Sequence, residues 1–148
     1  MSKFTWFTGR GPALTQQQLQ RRQALSAPAA FDERPLHEQR LVVLDLETTG
    51  LNMRRDQVLA IGAVVIDHGA IDFAEQFECT LHQPDHQASA STLIHGLAPS
   101  AIAAGEEPRA ALLGFLEFLG DSPLLAFHAG FDRRMLARAL KQHLGRRL

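Results

Sequence analysis

The 148-residue sequence predicts a mixed α/β fold, with antiparallel strands 1–3 joined to a parallel strand 4 and helices flanking the sheet. Three observations lead there. Two apolar runs, Leu41 to Leu46 and Val58 to Ile66, have strand length and are rich in Val, Leu and Ile. Turn chemistry at Asp67-His68-Gly69-Ala70 joins the second run to a third that alternates polar and apolar residues, about Ile71 to Thr80. After Pro108 the apolar period becomes helical, returns to a strand at Pro123-Leu124-Leu125-Ala126-Phe127, and ends helical.

The N-terminal part differs from the rest. Residues Gln16 to Leu25 suit a short polar helix, which Pro28 and Arg34-Pro35 interrupt. Residues 1–39 therefore read as a helical appendage and linker, free to dock on the domain or on a protein partner, and residues 40–148 as the domain proper. The first strand opens this domain. The second, apolar almost throughout, belongs in the middle of the sheet. The third suits an edge with one wet face. Pro84 starts an irregular stretch in which Thr92 to Leu97 ends in turn residues and Pro99 to Ile102 forms a helical turn. The longer helix from Pro108 to Leu119 places Leu112, Leu113, Phe115, Leu116 and Leu119 on one side, with Gly120 closing it. The last helix, about Phe131 to His143, carries Met135, Leu136, Leu140 and Leu144 on its apolar side.

Composition narrows the class. An apolar fraction of 45% and a charged fraction of 21% are those of a globular domain. No apolar run approaches the ~20 residues that span a bilayer, so no membrane association is expected. Met1 to Phe7 has no signal-peptide core, and the lone Cys79 cannot form an internal disulfide, so a cytoplasmic compartment is the default. The net charge of −1 excludes a basic surface overall, but not local basic patches at Arg54-Arg55 and along Arg133, Arg134, Arg138, Lys141, Arg146 and Arg147. These are equally a solvated face or a phosphate contact.

The chemistry lies in Asp45 and Glu47, two residues apart in the first apolar strand. Side chains at i and i+2 share a strand face, so both carboxylates point the same way. In a buried strand such a pair must be protonated, paired or bound to a cation, and a divalent metal relieves both burial and repulsion. Asp132, after the fourth strand, reads alone as an acid favoured by a helix N-terminus. If strands one and four are neighbours, all three acids converge at one end of the sheet.

Leu44-Asp45-Leu46-Glu47-Thr48-Thr49-Gly50-Leu51 resembles the first motif of the DnaQ-like (DEDD) 3′→5′ exonucleases of ribonuclease H-like fold. Ile61-Gly62-Ala63-Val64 and Ile94-His95-Gly96-Leu97 fit the segments between the motifs. Ala126-Phe127-His128-Ala129-Gly130-Phe131-Asp132 resembles the second motif, with Phe127-His128 where the family usually has His-Asn. The resemblance spans about residues 41–144. It implies hydrolysis of phosphodiester bonds from a nucleic-acid 3′ end, with single-stranded DNA as the substrate expected. It also implies two Mg²⁺ (or Mn²⁺) ions. Asp45 would bridge both, Glu47 would hold the ion carrying the attacking water, and Asp132 would hold the ion near the leaving oxygen. Thr48, Thr49, Gly50 and Leu51 would lie beside the terminal nucleotide.

The family's third motif places a Tyr four positions, or a His five positions, before a final Asp, on a helix after a fifth strand. This sequence has no Tyr, and none of its seven His residues precedes an Asp by five. His128 with Asp132 has the wrong spacing for that motif, and His68 with Asp72 lies on the hairpin. His82, His86 and His95 read as surface or structural residues. The expectation is a C-terminally incomplete sheet and a partial exonuclease domain over residues 40–148, weak or inactive alone, with apolar surface left open at Leu124 and Leu125. The alternative is a non-catalytic nucleic-acid-binding or interaction module on the same fold. An aspartyl-nucleophile phosphatase would need Asp where Glu47 stands.

Overall fold

A computed structural model describes residues 13–27, 29, 31–83 and 96–146. The polar helix α1 is Gln16–Ala24; Thr15 caps it, accepting from the Gln18 N–H at 3.2 Å while the Gln18 side chain accepts from the Thr15 N–H at 3.0 Å. A 3₁₀ turn at Leu36–Glu38 leads into β1, Leu41–Thr48. β2 (Val58–Asp67) and β3 (Ala70–Thr80) follow as a hairpin. His68 and Gly69 turn it with φ of 49° and 74°, the paired positive values of the tight hairpin turn that matches strand twist. A short α2 (Pro99–Ala103) precedes α3 (Pro108–Leu119), β4 (Leu124–Ala126) and α4 (Ala129–Leu144).

The sheet runs β3-β2-β1-β4, with β1 antiparallel to β2 and parallel to β4. The expected mixed sheet, the central second strand and the edge position of the third are all present. β4 is shorter than predicted. Pro123 lies outside it and contributes only its carbonyl, which accepts from Val42 N at 3.0 Å.

One face of the sheet holds the core. Val42, Leu44 and Leu46 of β1 and Ile61, Ala63 and Val65 of β2 pack there with Leu112, Leu113 and Phe115 of α3 and Met135, Leu136 and Leu140 of α4. Phe77 on β3 meets Phe115 edge-on at 5.8 Å and leans on Phe118 at 5.7 Å, which carries the core out to the sheet edge. The five apolar positions predicted for α3 are all buried, as are the four predicted for α4. Cys79 is buried as well, and its apolar surroundings push the thiol up to about 11, in keeping with a structural residue.

The opposite face is different. Val43, Asp45 and Glu47 alternate with the buried positions of β1, and Ala60, Gly62 and Val64 do so on β2. With Gln76, Glu78 and Thr80 of β3, these residues line an open groove of about 420 Å³. β2 is therefore central, yet the helices α3 and α4 cover only one of its faces. Leu124 and Leu125, on the edge strand β4, are half-buried.

α1 lies against the far side of the helical layer. Arg21 grips Glu117 of α3 with two hydrogen bonds of 2.7 Å. Arg22 donates to the Leu144 carbonyl at the end of α4, and Arg146 donates back to the carbonyls of Arg22 and Ser26.

Candidate active site

β1 delivers Asp45 and Glu47 onto the open face near its C-terminal end. β4 runs parallel to β1, with Leu44 opposite Ala126, so the chain leaves β4 at the same end. Phe127 and His128 make the turn, and α4 begins at Ala129. Asp132 lies four residues past the helix cap, with its N–H bonded to the His128 carbonyl at 3.0 Å. Parallel pairing of β1 and β4 thus brings Asp132 within electrostatic reach of Asp45.

The burial of the three acids differs from expectation. Asp45 is exposed and Glu47 half-buried, because β1 is covered on one face only. Asp132 is the buried carboxylate, at 7% exposure. Its pKa is raised, first by burial and then by the negative charge of Asp45, with His128 pulling the other way.

Among the described residues, no Lys or Arg forms a salt bridge with Asp45, Glu47 or Asp132. Carboxylate oxygens suit Mg²⁺ or Mn²⁺ by donor chemistry. Among the described residues, however, no three His, Cys, Asp or Glu side chains are gathered as the ligands of one ion.

The loop after Glu47 is closed on itself. The register with β2 shifts between Glu47 and Thr48, where the strand bulges. Thr48 Oγ1 donates to the Gly50 carbonyl at 2.9 Å. Thr49 pairs with Gln57 through both its N–H and its side-chain oxygen, at 2.9 Å each, and its hydroxyl donates to Asp56 Oδ1 at 3.3 Å. Asp56 Oδ2 accepts from Asn52 N at 2.7 Å. A Cβ on Gly50 would stand 2.5 Å from that same oxygen, so here the missing side chain makes room for a carboxylate of the chain itself. Thr48, Thr49 and Gly50 build the loop; Leu51 stands out of it at 83% exposure.

Two neighbours of the site have no role assigned from the sequence. Asp56, the acid that pins the loop, carries no local signal, since its partners lie four to seven residues back. Phe127 is 94% exposed, with its ring edge-on to His128 at 4.9 Å. Its departure from the usual His-Asn pair was the available signal. Of the histidines weighed earlier, His82 is tied to the Ala103 carbonyl at 2.6 Å and His68 is on the hairpin beside Asp67. His86, Ile94 and His95 lie outside the described residues.

A mixed sheet with a parallel β1–β4 pair, flanked by helices, is the ribonuclease H-like fold found in exonucleases. The chain belongs to the RNase T exonuclease family, whose profile matches residues 42–148. It is similar to the PolC-type DNA polymerase III of Thermotoga maritima, 35% identical over 115 residues that make up 77% of this chain and 8% of that protein. The Bacillus subtilis PolC-type polymerase is 31% identical over 121 residues, 79% of this chain and 8% of the relative. The chain thus spans about a twelfth of the length of these relatives.

Among solved structures, exonuclease I of Methylocaldum szegediense superposes with a TM-score of 0.64 at 19% identity, covering 72% of this chain and 24% of that one. E. coli exonuclease I in complex with a dA16 oligonucleotide superposes at 0.60 and 17% identity, covering 69% and 23%. At such identities the likeness is one of fold.

Proposed function

We propose that the chain is the motif-bearing part of a metal-dependent 3′→5′ exonuclease acting on single-stranded DNA. The observation that carries this reading is the electrostatic proximity of Asp45, which shares the open face of β1 with Glu47, to the buried Asp132, whose pKa Asp45 helps to raise. Membership of an exonuclease family and the oligonucleotide-bound exonuclease I fold relative support it. The single buried Cys79 accords with a cytoplasmic setting.

Asp45, Glu47 and Asp132 would hold the Mg²⁺ or Mn²⁺ ions. When bound, such ions stabilise the attacking and leaving oxygens of an in-line displacement at phosphorus. The rest is done by the chain. The loop pinned by Asp56 holds Leu51 outward, where it can press on the terminal base, and Phe127 offers a second apolar surface at the same end of the sheet. The groove beside Asp45 and Glu47 leaves the carboxylates open to the substrate.

None of the chain's histidines has third-motif spacing, so hydrolysis by these 148 residues is expected to be weak; loss of a general base alone typically costs ~10²–10⁴-fold. Mn²⁺-dependent release of the terminal nucleotide from a 3′-labelled single-stranded oligonucleotide tests the reading. Slow release abolished by Asp45→Ala supports it. Activity untouched by that substitution removes it.

A second reading, a non-catalytic nucleic-acid-binding or interaction module, is favoured by one observation: the three acids are not gathered as ligands of a single ion. Release of nucleotides would exclude it.

A further inference from the structure

Beside the acidic site lies a group of arginines that this reading leaves without a role. Arg54 and Arg55 stand exposed on the loop between β1 and β2, directly after the turn that presents Leu51. The loop is built to hold them there. Arg54 N bonds to Asn52 Oδ1 at 3.0 Å, and Arg55 N and Asp56 N bond to the Asn52 carbonyl at 3.1 and 2.8 Å. Arg134, exposed on α4 two residues after Asp132, reaches across to this loop, its Nη1 lying 3.8 Å from Met53 Sδ. That contact joins helix and loop into one surface.

These charges are poorly balanced. Among the described residues Arg54 and Arg134 form no salt bridge, and Arg55 has only the adjacent Asp56, at 3.9 Å. Asp56 is itself occupied by Asn52 and Thr49. Arg134 also has Arg138 one turn on, a like-charge spacing that works against the helix. A net charge of −1 for the whole chain makes this local excess stand out.

We infer that Arg54, Arg55 and Arg134 form a cationic ledge that holds the phosphodiester backbone of a single-stranded nucleic acid alongside the acidic site. Guanidinium groups suit this task, because each presents a planar fork of donors to a phosphate. The ledge lies next to the carboxylates rather than among them. It can therefore hold neighbouring phosphates without neutralising the acids. The inference rests on the exonuclease reading for its substrate class, and it makes the strand's affinity depend on the loop and α4 rather than on the metal ligands.

The test is binding of a 5′-labelled oligo-dT to the full chain in EDTA, followed by fluorescence anisotropy across a salt series. The triple substitution Arg54→Ala, Arg55→Ala and Arg134→Ala should weaken binding about tenfold or more. It should also make the slope of log K against log[salt] shallower by about 2, since each single-strand phosphate contact contributes about 0.7. Lys141→Ala, which removes a charge at the far end of α4, should leave both unchanged. Arg134→Lys, which keeps the charge and loses the fork, should fall between. An oligo-rU of equal length should show the same losses if the contacts are to phosphate.

An unchanged affinity and slope in the triple variant would overturn the ledge while leaving the exonuclease reading intact. No binding by the unaltered, folded chain at low salt would overturn the ledge as well. The hydrolytic reading fails separately, through Asp45→Ala in the Mn²⁺ release assay.

Discussion

The two faces of β1 put one strand to two uses. On one, Val42, Leu44 and Leu46 disappear beneath α3 and α4; on the other, Val43, Asp45 and Glu47 border an open groove. The covered face is held by apolar contact and is sensitive to volume. The open face carries charge, and its order comes from the hydrogen-bonded loop beyond Glu47. The difference teaches that apolar packing and clustered charge are separated here by a single residue of register, so a one-residue slip would exchange them.

Breaking the covered face should have the largest effect. Phe115 is fully buried and touches Phe77, so Phe115→Ala should cost about 3–5 kcal/mol, read as a lower midpoint in urea denaturation. The open face should respond differently. Gly50→Ala would drive a methyl group into Asp56 and is expected to cost about 1–3 kcal/mol while displacing Leu51. Adding Asp56→Ala should relieve the clash without restoring nucleotide release.

At the border between the two faces the sign should reverse. Asp132 has a raised pKa, so its ionised form opposes folding, and that penalty is present above the raised value and absent below the ordinary Asp range near 3.9. In EDTA, Asp132→Asn should therefore raise the melting temperature at pH 7. The gain should fade as the pH falls towards 3. A destabilised variant at pH 7 would show that Asp132 is needed for packing rather than tolerated for function.

Much of this division was legible in the sequence, though not which face was open. α3 begins at Pro108 and ends at Leu119 because a proline at its start and a glycine after its end bracket a clean helical period. The hairpin at His68-Gly69 was equally plain. The exposure of Asp45 was hidden because Val43 and Val64, on the open face, are as apolar as the residues beneath the helices. Both strands then read as continuous runs, and the acids read as buried. Asp132 reads as an acid favoured by a helix N-terminus, and it does stand in the first turn of α4; its burial there was not legible. The contact that fixes the arginine ledge, Arg134 to Met53, joins residues 81 positions apart and has no local signature.

Isothermal titration of Mn²⁺ into the intact, folded chain tests the central claim most directly. Saturable binding that Asp45→Asn removes, with the far-ultraviolet circular dichroism unchanged, is the result predicted for a metal site built on the open face of β1. Absence of binding, or binding that survives Asp45→Asn, would contradict it.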